Sequence, residues 1–153
     1  MTNSNGSSSS ANKLALIIGN GEYSNPSNRL NHSINNANDL SVALEEINFK
    51  VTTEINLKEN EMMSKINDFS KQLNDGDFVF FYYSGHACHI NKENYLIPID
   101  YNDIENNENI SDCSALLRNA FGRLAEKKPS HIICILDCCR PYKLGDGSIL
   151  KGE

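Results

Sequence analysis

The sequence predicts an α/β domain built on a doubly wound, mainly parallel sheet, and three observations predict it. Four short apolar runs are separated by segments with helical spacing. Three of those runs are apolar almost throughout, as strands covered on both faces are. Strands and helices alternate along the chain, and right-handed crossovers turn that alternation into parallel neighbours.

The opening MTNSNGSSSSAN is polar and low in complexity, which predicts a flexible tail over residues 1–12. Leu14 to Ile18 is the first strand. Ile34, Ala37, Leu40, Leu44 and Ile47 lie on one helical stripe, and Phe49 to Thr53 follows as the second strand. Met62, Ile66, Phe69 and Leu73 form the second stripe, with Asn56 and Glu59 spaced as an N-cap pair and Gly76 as a stop. Phe78 to Tyr83 is the third strand. Asp100 to Asn109 is acidic and rich in asparagine, which predicts an exposed loop. Leu116, Leu117, Ala120, Phe121 and Leu124 make the third helix, and Ile132 to Leu136 the fourth strand. The domain is expected over residues 13–142, with 143–153 a short tail or truncated linker. So little follows the fourth strand that the sheet should end on an apolar strand with an open edge, which soluble proteins normally cover. Another segment is expected to complete it.

A formal charge of -6 argues against nucleic acid or an anionic membrane as a main partner, because both select a basic surface. No apolar run reaches membrane-spanning length, and no charged-then-apolar leader opens the chain. The cysteines are Cys88, Cys113, Cys134, Cys138 and Cys139, an odd number without a secretory signal. That pattern predicts free thiols in a reducing compartment, hence the cytoplasm. Cys138 and Cys139 are adjacent and cannot pair with each other without severe strain.

In an open parallel sheet, functional groups gather beyond the carboxyl ends of the strands. The third strand ends in YYSGHACH, which delivers Ser84, Gly85 and His86; the fourth ends in LDCCR, which delivers Asp137, Cys138, Cys139 and Arg140. If the two strands are neighbours, His86 and Cys139 share a rim, the arrangement a thiol nucleophile and its base require. The attacked carbonyl also needs backbone N–H donors for its developing charge, and Gly85 and Ala87 leave room for it beside His86. Other readings of these residues stand beside this one. His86 and Cys139 serve equally as a loop histidine and a buried thiol, Cys138 competes as nucleophile, and Asp137 suits a cap on the next turn. His86, Cys88, His89, Cys138 and Cys139 are zinc donors by type, although their spacing matches no structural zinc pattern. GNGEY lacks the glycine spacing and lysine of a phosphate loop.

The ordered motifs LALIIGNGEY, LNHSINNANDL, FKV, FVFFYYSGHA, NYLIPID and IICILDCCR resemble the caspase-like cysteine peptidases, and among them the paracaspase and metacaspase branch. The likeness runs from about Lys13 to Arg140 and includes Tyr95, Leu96, Pro98 and Asp100. It implies a three-layer α/β/α caspase-like (caspase–hemoglobinase) fold, here the large-subunit half without the C-terminal small-subunit strands. It implies His86 as base and Cys139 as nucleophile, from the family pattern Asp, any residue, Cys, Arg. The N–H groups of Cys139 and Ala87 would form the oxyanion hole, and Asp137 would line a pocket for an arginine or lysine at P1. Caspases that cleave after aspartate use basic pocket residues, and none stands at a matching position. Two residues depart from the family pattern. Asn36 stands where the branch carries a second pocket acid, offering an acceptor without charge and weakening a basic preference. Ala87 stands where it carries glycine. The implied activity is cysteine endopeptidase action on protein or peptide substrates, without cofactor or metal. Calcium dependence is known in the branch but no calcium loop is evident here. Expected partners are a second copy or a small-subunit-like segment. The alternative is an inactive half-domain acting as scaffold, decoy or regulator.

Overall fold

The computed structural model describes residues 11–90, 92–102, 114–139, 142–143 and 149–150, and of Cys139, 142–143 and 149–150 the backbone alone. The elements are β1 (Lys13–Gly19), a 3-10 turn (Pro26–Asn28), α1 (Ser33–Glu46), β2 (Lys50–Ile55), α2 (Glu59–Ser70), β3 (Phe78–Ile90), β4 (Glu93–Leu96), β5 (Ala115–Leu116), α3 (Leu117–Ala125), β6 (His131–Cys139), β7 (Tyr142–Lys143) and β8 (Ile149–Leu150). Four of the strands are parallel in the order β2-β1-β3-β6. Beyond that parallel part, β3 runs on and pairs antiparallel with β4, which in turn pairs with β5. β7 and β8 pair with each other.

Alternation along the central strands creates the two faces. Leu14, Leu16, Ile18, Val79, Phe81 and Tyr83 point to one side and meet Met62, Ile66 and Phe69 of α2 with Leu117, Ala120 and Leu124 of α3. Ala15, Ile17 and Tyr82 point to the other and meet Ala37 and Leu44 of α1. Helices on both faces give the α/β/α layering expected of the sequence. Each fully buried large side chain here contributes roughly 1.5–3 kcal/mol of transfer free energy. Gly19 allows the close approach of α1: a Cβ there would lie 2.7 Å from the Ala37 Cβ and 2.9 Å from the Ser33 carbonyl. At the lower end of the sheet, Asp77 is buried and accepts from the Asn12 and Asn74 N–H groups, while the Asn12 carbonyl takes the Phe78 N–H.

Several local expectations are corrected. Asn56 and Glu59 do not cap α2. Asn56 sits at φ +57° with its side-chain oxygen on the Gly21 and Glu22 N–H groups. The helix opens two residues later, where Glu61 accepts the Lys58 N–H and Asp100 accepts the Glu59 N–H. Gly76 does not end that helix, which stops at Ser70; it supplies the φ of +83° needed by the turn into β3. Ile47 lies just past α1 and is 54% exposed, because the stripe outlasts the helix that was to bury it. The predicted tail through residue 10, the loop from 103 to 109, Cys113, Arg140 and most of 143–153 lie outside the described residues.

Candidate active site

β3 is longer than its apolar run, so His86 lies within the strand and not beyond its end. Its register partner on the parallel neighbour β6 is Cys139. Two residues far apart in sequence are thus adjacent backbone positions at the carboxyl end of the sheet. Cys138, the competing thiol, packs against the core beneath α2 and α3. Strand alternation puts that core on the face opposite His86.

The loop after β1 positions the His86 ring. Asn25 accepts the Ser27 N–H at 3.0 Å and Pro26 presets the first φ, so a 3-10 turn forms. That turn brings the Asn28 carbonyl to 2.8 Å from His86 Nε2. A carbonyl can only accept, so Nε2 carries the proton and Nδ1 keeps its lone pair. Burial lowers the His86 pKa from 6.5, and the bond to the Asn28 carbonyl raises it in part. The ring is therefore neutral and basic at neutral pH.

Two tyrosines hold the backbone at the same point. The Tyr23 ring meets the imidazole edge-on with centroids 4.7 Å apart, and Tyr23 Oη accepts the His86 N–H at 2.8 Å. Tyr83 Oη lies 2.8 Å from the His86 carbonyl and 3.0 Å from that of Ile97. Burial pushes the Tyr23 hydroxyl to about 12 and that of Tyr83 well above 10, so both stay protonated. Gly85 is required between them: a Cβ there would sit 2.6 Å from Tyr83 Oη and 3.0 Å from Tyr23 Oη.

Ala87 is buried opposite Leu96 of β4. The Ile97 N–H bonds to the His86 carbonyl at 3.0 Å, which makes Ala87 and Leu96 a non-hydrogen-bonded pair. The Ala87 N–H consequently points away from β4, toward the side on which β6 ends.

Asp137, an exposed carboxylate, gathers three donors on one oxygen. Tyr82 Oη donates to Oδ2 at 2.9 Å, Asn36 Nδ2 at 3.2 Å and Ser84 Oγ at 3.5 Å. The sequence brought Asn36 forward as an acceptor; in the structure it is a donor to Asp137. Burial, then the bond to Asp137, raises the Tyr82 hydroxyl to about 12, so it remains a donor as well. Among the described residues nothing bonds to Oδ1.

The other sulfur and imidazole groups do not converge here. Cys88 packs with Tyr23, Ile97 and Tyr101, and exposed His89 lies 3.1 Å from Asn94 Oδ1. Burial raises the Cys88 and Cys134 thiols to about 11, leaving them un-ionised at neutral pH. Among the described residues no three His, Cys, Asp or Glu side chains are placed to share a metal ion. No described helix is long and apolar enough to cross a membrane. Sequence reasoning singled out His86, Ala87, Asp137, Asn36 and position 139, but missed Tyr23, Asn28 and Tyr82. Tyr23 closes the GNGEY motif and could have been found there; Asn28 acts through its backbone, which leaves no residue signal.

The family model described as "Caspase domain" matches residues 12–153. The chain is 27% identical over 137 residues to "Mucosa-associated lymphoid tissue lymphoma translocation protein 1" of Homo sapiens, covering 90% of this chain and 16% of that protein. It is 28% identical over 138 residues to the homolog of Mus musculus, with the same coverage. The chain thus spans about 16% of the length of these curated relatives. The crystal structure of protein GSU0716 from Geobacter sulfurreducens superposes with a TM-score of 0.60 at 18% identity, over 84% of this chain and 50% of that one.

Proposed function

From the premise that the chain belongs to the caspase-domain family, whose members are cysteine peptidases, we propose that it is a paracaspase-type cysteine endopeptidase cleaving after arginine or lysine. The observation that carries the reading is the register pairing of His86 with Cys139 on adjacent parallel strands.

In this reading His86 Nδ1 takes the proton of the Cys139 thiol, and the thiolate attacks the scissile carbonyl carbon. The N–H groups of Ala87 and Cys139 receive the oxyanion. As the tetrahedral adduct collapses, the C–N bond breaks and the imidazolium returns its proton to the leaving amine. Water, deprotonated by His86, then hydrolyses the thioester and regenerates the thiol. The Asn28 carbonyl keeps the ring in the tautomer that presents Nδ1. Asp137 receives the P1 cation on Oδ1, while Tyr82 and Asn36 donate to Oδ2 and hold the carboxylate in place. No metal or cofactor takes part.

Fluorogenic peptides ending in Arg, Lys or Asp, assayed with and without calcium, test this directly. Arg or Lys cleavage should disappear in Cys139→Ala and persist in Cys138→Ala, independently of calcium. Cleavage after Asp would refute the pocket assignment.

A binding role is the second reading. It is favoured by Asn36, which adds a donor and no charge beside Asp137, and by β6, which carries Cys139 yet has a strand on one side alone among the described residues. A peptide electrophile directed at thiols separates the two, since a scaffold has no need of an activated Cys139 and should not be labelled.

A further inference from the structure

We propose that Tyr83 is a positioning residue for the oxyanion: its hydroxyl, bonded to the His86 carbonyl, orients and polarises the peptide group whose other end is the Ala87 N–H. The inference rests on the peptidase reading, in which that N–H receives the developing charge. A peptide group is one planar unit, so a carbonyl fixed at His86 fixes the N–H of Ala87. The His86 carbonyl accepts the Ile97 N–H at 3.0 Å and the Tyr83 hydroxyl at 2.8 Å. Two donors draw charge onto the carbonyl oxygen and leave the N–H of the same amide a stronger donor. Ala87, buried opposite Leu96, holds the far end of the plane.

The Tyr83 hydroxyl has one proton and two carbonyls within reach. The Ile97 carbonyl, at 3.0 Å, is also reached by Asn20 Nδ2 at 3.2 Å and by Tyr23 Oη at 3.3 Å. The His86 carbonyl is nearer and less well supplied, so the proton of Tyr83 serves it first. Tyr23 cannot take that role, because its hydroxyl accepts the His86 N–H, which belongs to the preceding peptide group. The two tyrosines thus act on different amides: Tyr23 holds the histidine, and Tyr83 holds the amide beyond it. A side chain that only filled the core would need no hydroxyl here, since the Tyr83 ring is fully buried among apolar neighbours.

Three measurements on the wild type and on Tyr83→Phe test this. The first is cleavage of peptides ending in Arg or Lys. The second is inhibition by a peptide aldehyde ending in arginine. The Cys139 thiolate adds to the aldehyde carbon and the carbonyl π electrons move onto oxygen, so its affinity reads the oxyanion site. The third is alkylation by iodoacetamide, read at Cys139 by mass spectrometry. There the thiolate displaces iodide from a methylene carbon and no oxyanion forms, so the rate reports the dyad alone. Tyr83→Phe should lower kcat and aldehyde affinity roughly tenfold, at unchanged KM and unchanged alkylation rate. That is less than the roughly 10²–10³-fold lost with a whole oxyanion donor, because the Ala87 N–H stays. Tyr23→Phe, which takes the acceptor from the His86 N–H, should slow cleavage and alkylation together.

Tyr83→Phe leaves a donor on both carbonyls, so the variant should fold, and far-ultraviolet circular dichroism checks it. Alkylation slowed as much as cleavage, cleavage and inhibition both unchanged, or a chain that does not fold would each overturn the assignment. None of these touches the peptidase reading if the wild type cleaves. A wild type that neither cleaves nor is alkylated at Cys139 ends that reading, and this inference with it.

Discussion

A histidine can serve a thiol only if one ring nitrogen is free to take a proton, and at His86 a backbone carbonyl decides which. With Nε2 donating to Asn28, the base is Nδ1, and burial keeps it unprotonated to a lower pH than a free imidazole. The pH consequence has a definite sign. The folded pKa lies below 6.5, so between the two values the unfolded chain holds the proton and the folded chain does not. Stability therefore rises with pH across that window and is lost as pH falls from 6.5 toward the folded value. Thermal melts at a series of pH values should show this slope, and His86→Gln, which cannot titrate, should flatten it. Peptidase activity should follow the same group: the acid limb of kcat/KM is expected below pH 6.5, and a limb above that value would contradict a buried neutral base.

At the scale of elements, the site depends on β3 continuing past its apolar run, and Gly85 is the position that permits it. A methyl at Gly85 would meet the hydroxyls of both tyrosines that hold the His86 backbone. Gly85→Ala should cost roughly 1–3 kcal/mol in denaturant unfolding, and activity should fall further than stability. Gly122→Ala in α3, where no atom lies within 4 Å of the added Cβ, is the control. It should be neutral or stabilising by up to ~1 kcal/mol. The same strand shows what a sequence reveals and what it hides. FVFFYY announces a buried strand by composition, and so do LALII and IICIL. SGHACHI has no apolar periodicity, so its continuation was not read, nor was the short partner strand β4. Asn36 and Asp137 were legible as a pair through the family pattern, but the donor role of Asn36 depends on a carboxylate within 3.2 Å, which only the fold supplies. The carbonyl of Asn28 was illegible because any residue carries one.

Across the whole molecule, the parallel and antiparallel parts of the sheet are tied by one buried amide. Asn20 follows β1 and is fully buried; its N–H donates to the Ser84 carbonyl at 2.8 Å. Its Oδ1 accepts the Leu57 N–H at 2.9 Å, on the approach to α2, and its Nδ2 donates to the Ile97 carbonyl at 3.2 Å, just beyond β4. Ile97 is the same residue whose carbonyl receives the tyrosine hydroxyls beneath His86, so the amide couples the site to the core. Asn20→Ala would leave the buried Leu57 N–H without its partner, while the Ile97 carbonyl keeps the tyrosine hydroxyls; the cost is about 1–3 kcal/mol, which should lower Tm by roughly 3–10 °C. Asn20→Asp discriminates this account from a simple loss of volume. The carboxylate still accepts from Leu57 but faces the Ile97 carbonyl, so burial raises its folded pKa above the unfolded one. The folded chain then holds the extra proton, and the variant should gain stability as pH falls and lose it as pH rises. Asn20→Ala should show no such dependence. Melts of the two variants across the acidic range check this, and parallel curves would mean that the amide fills space without joining the two halves.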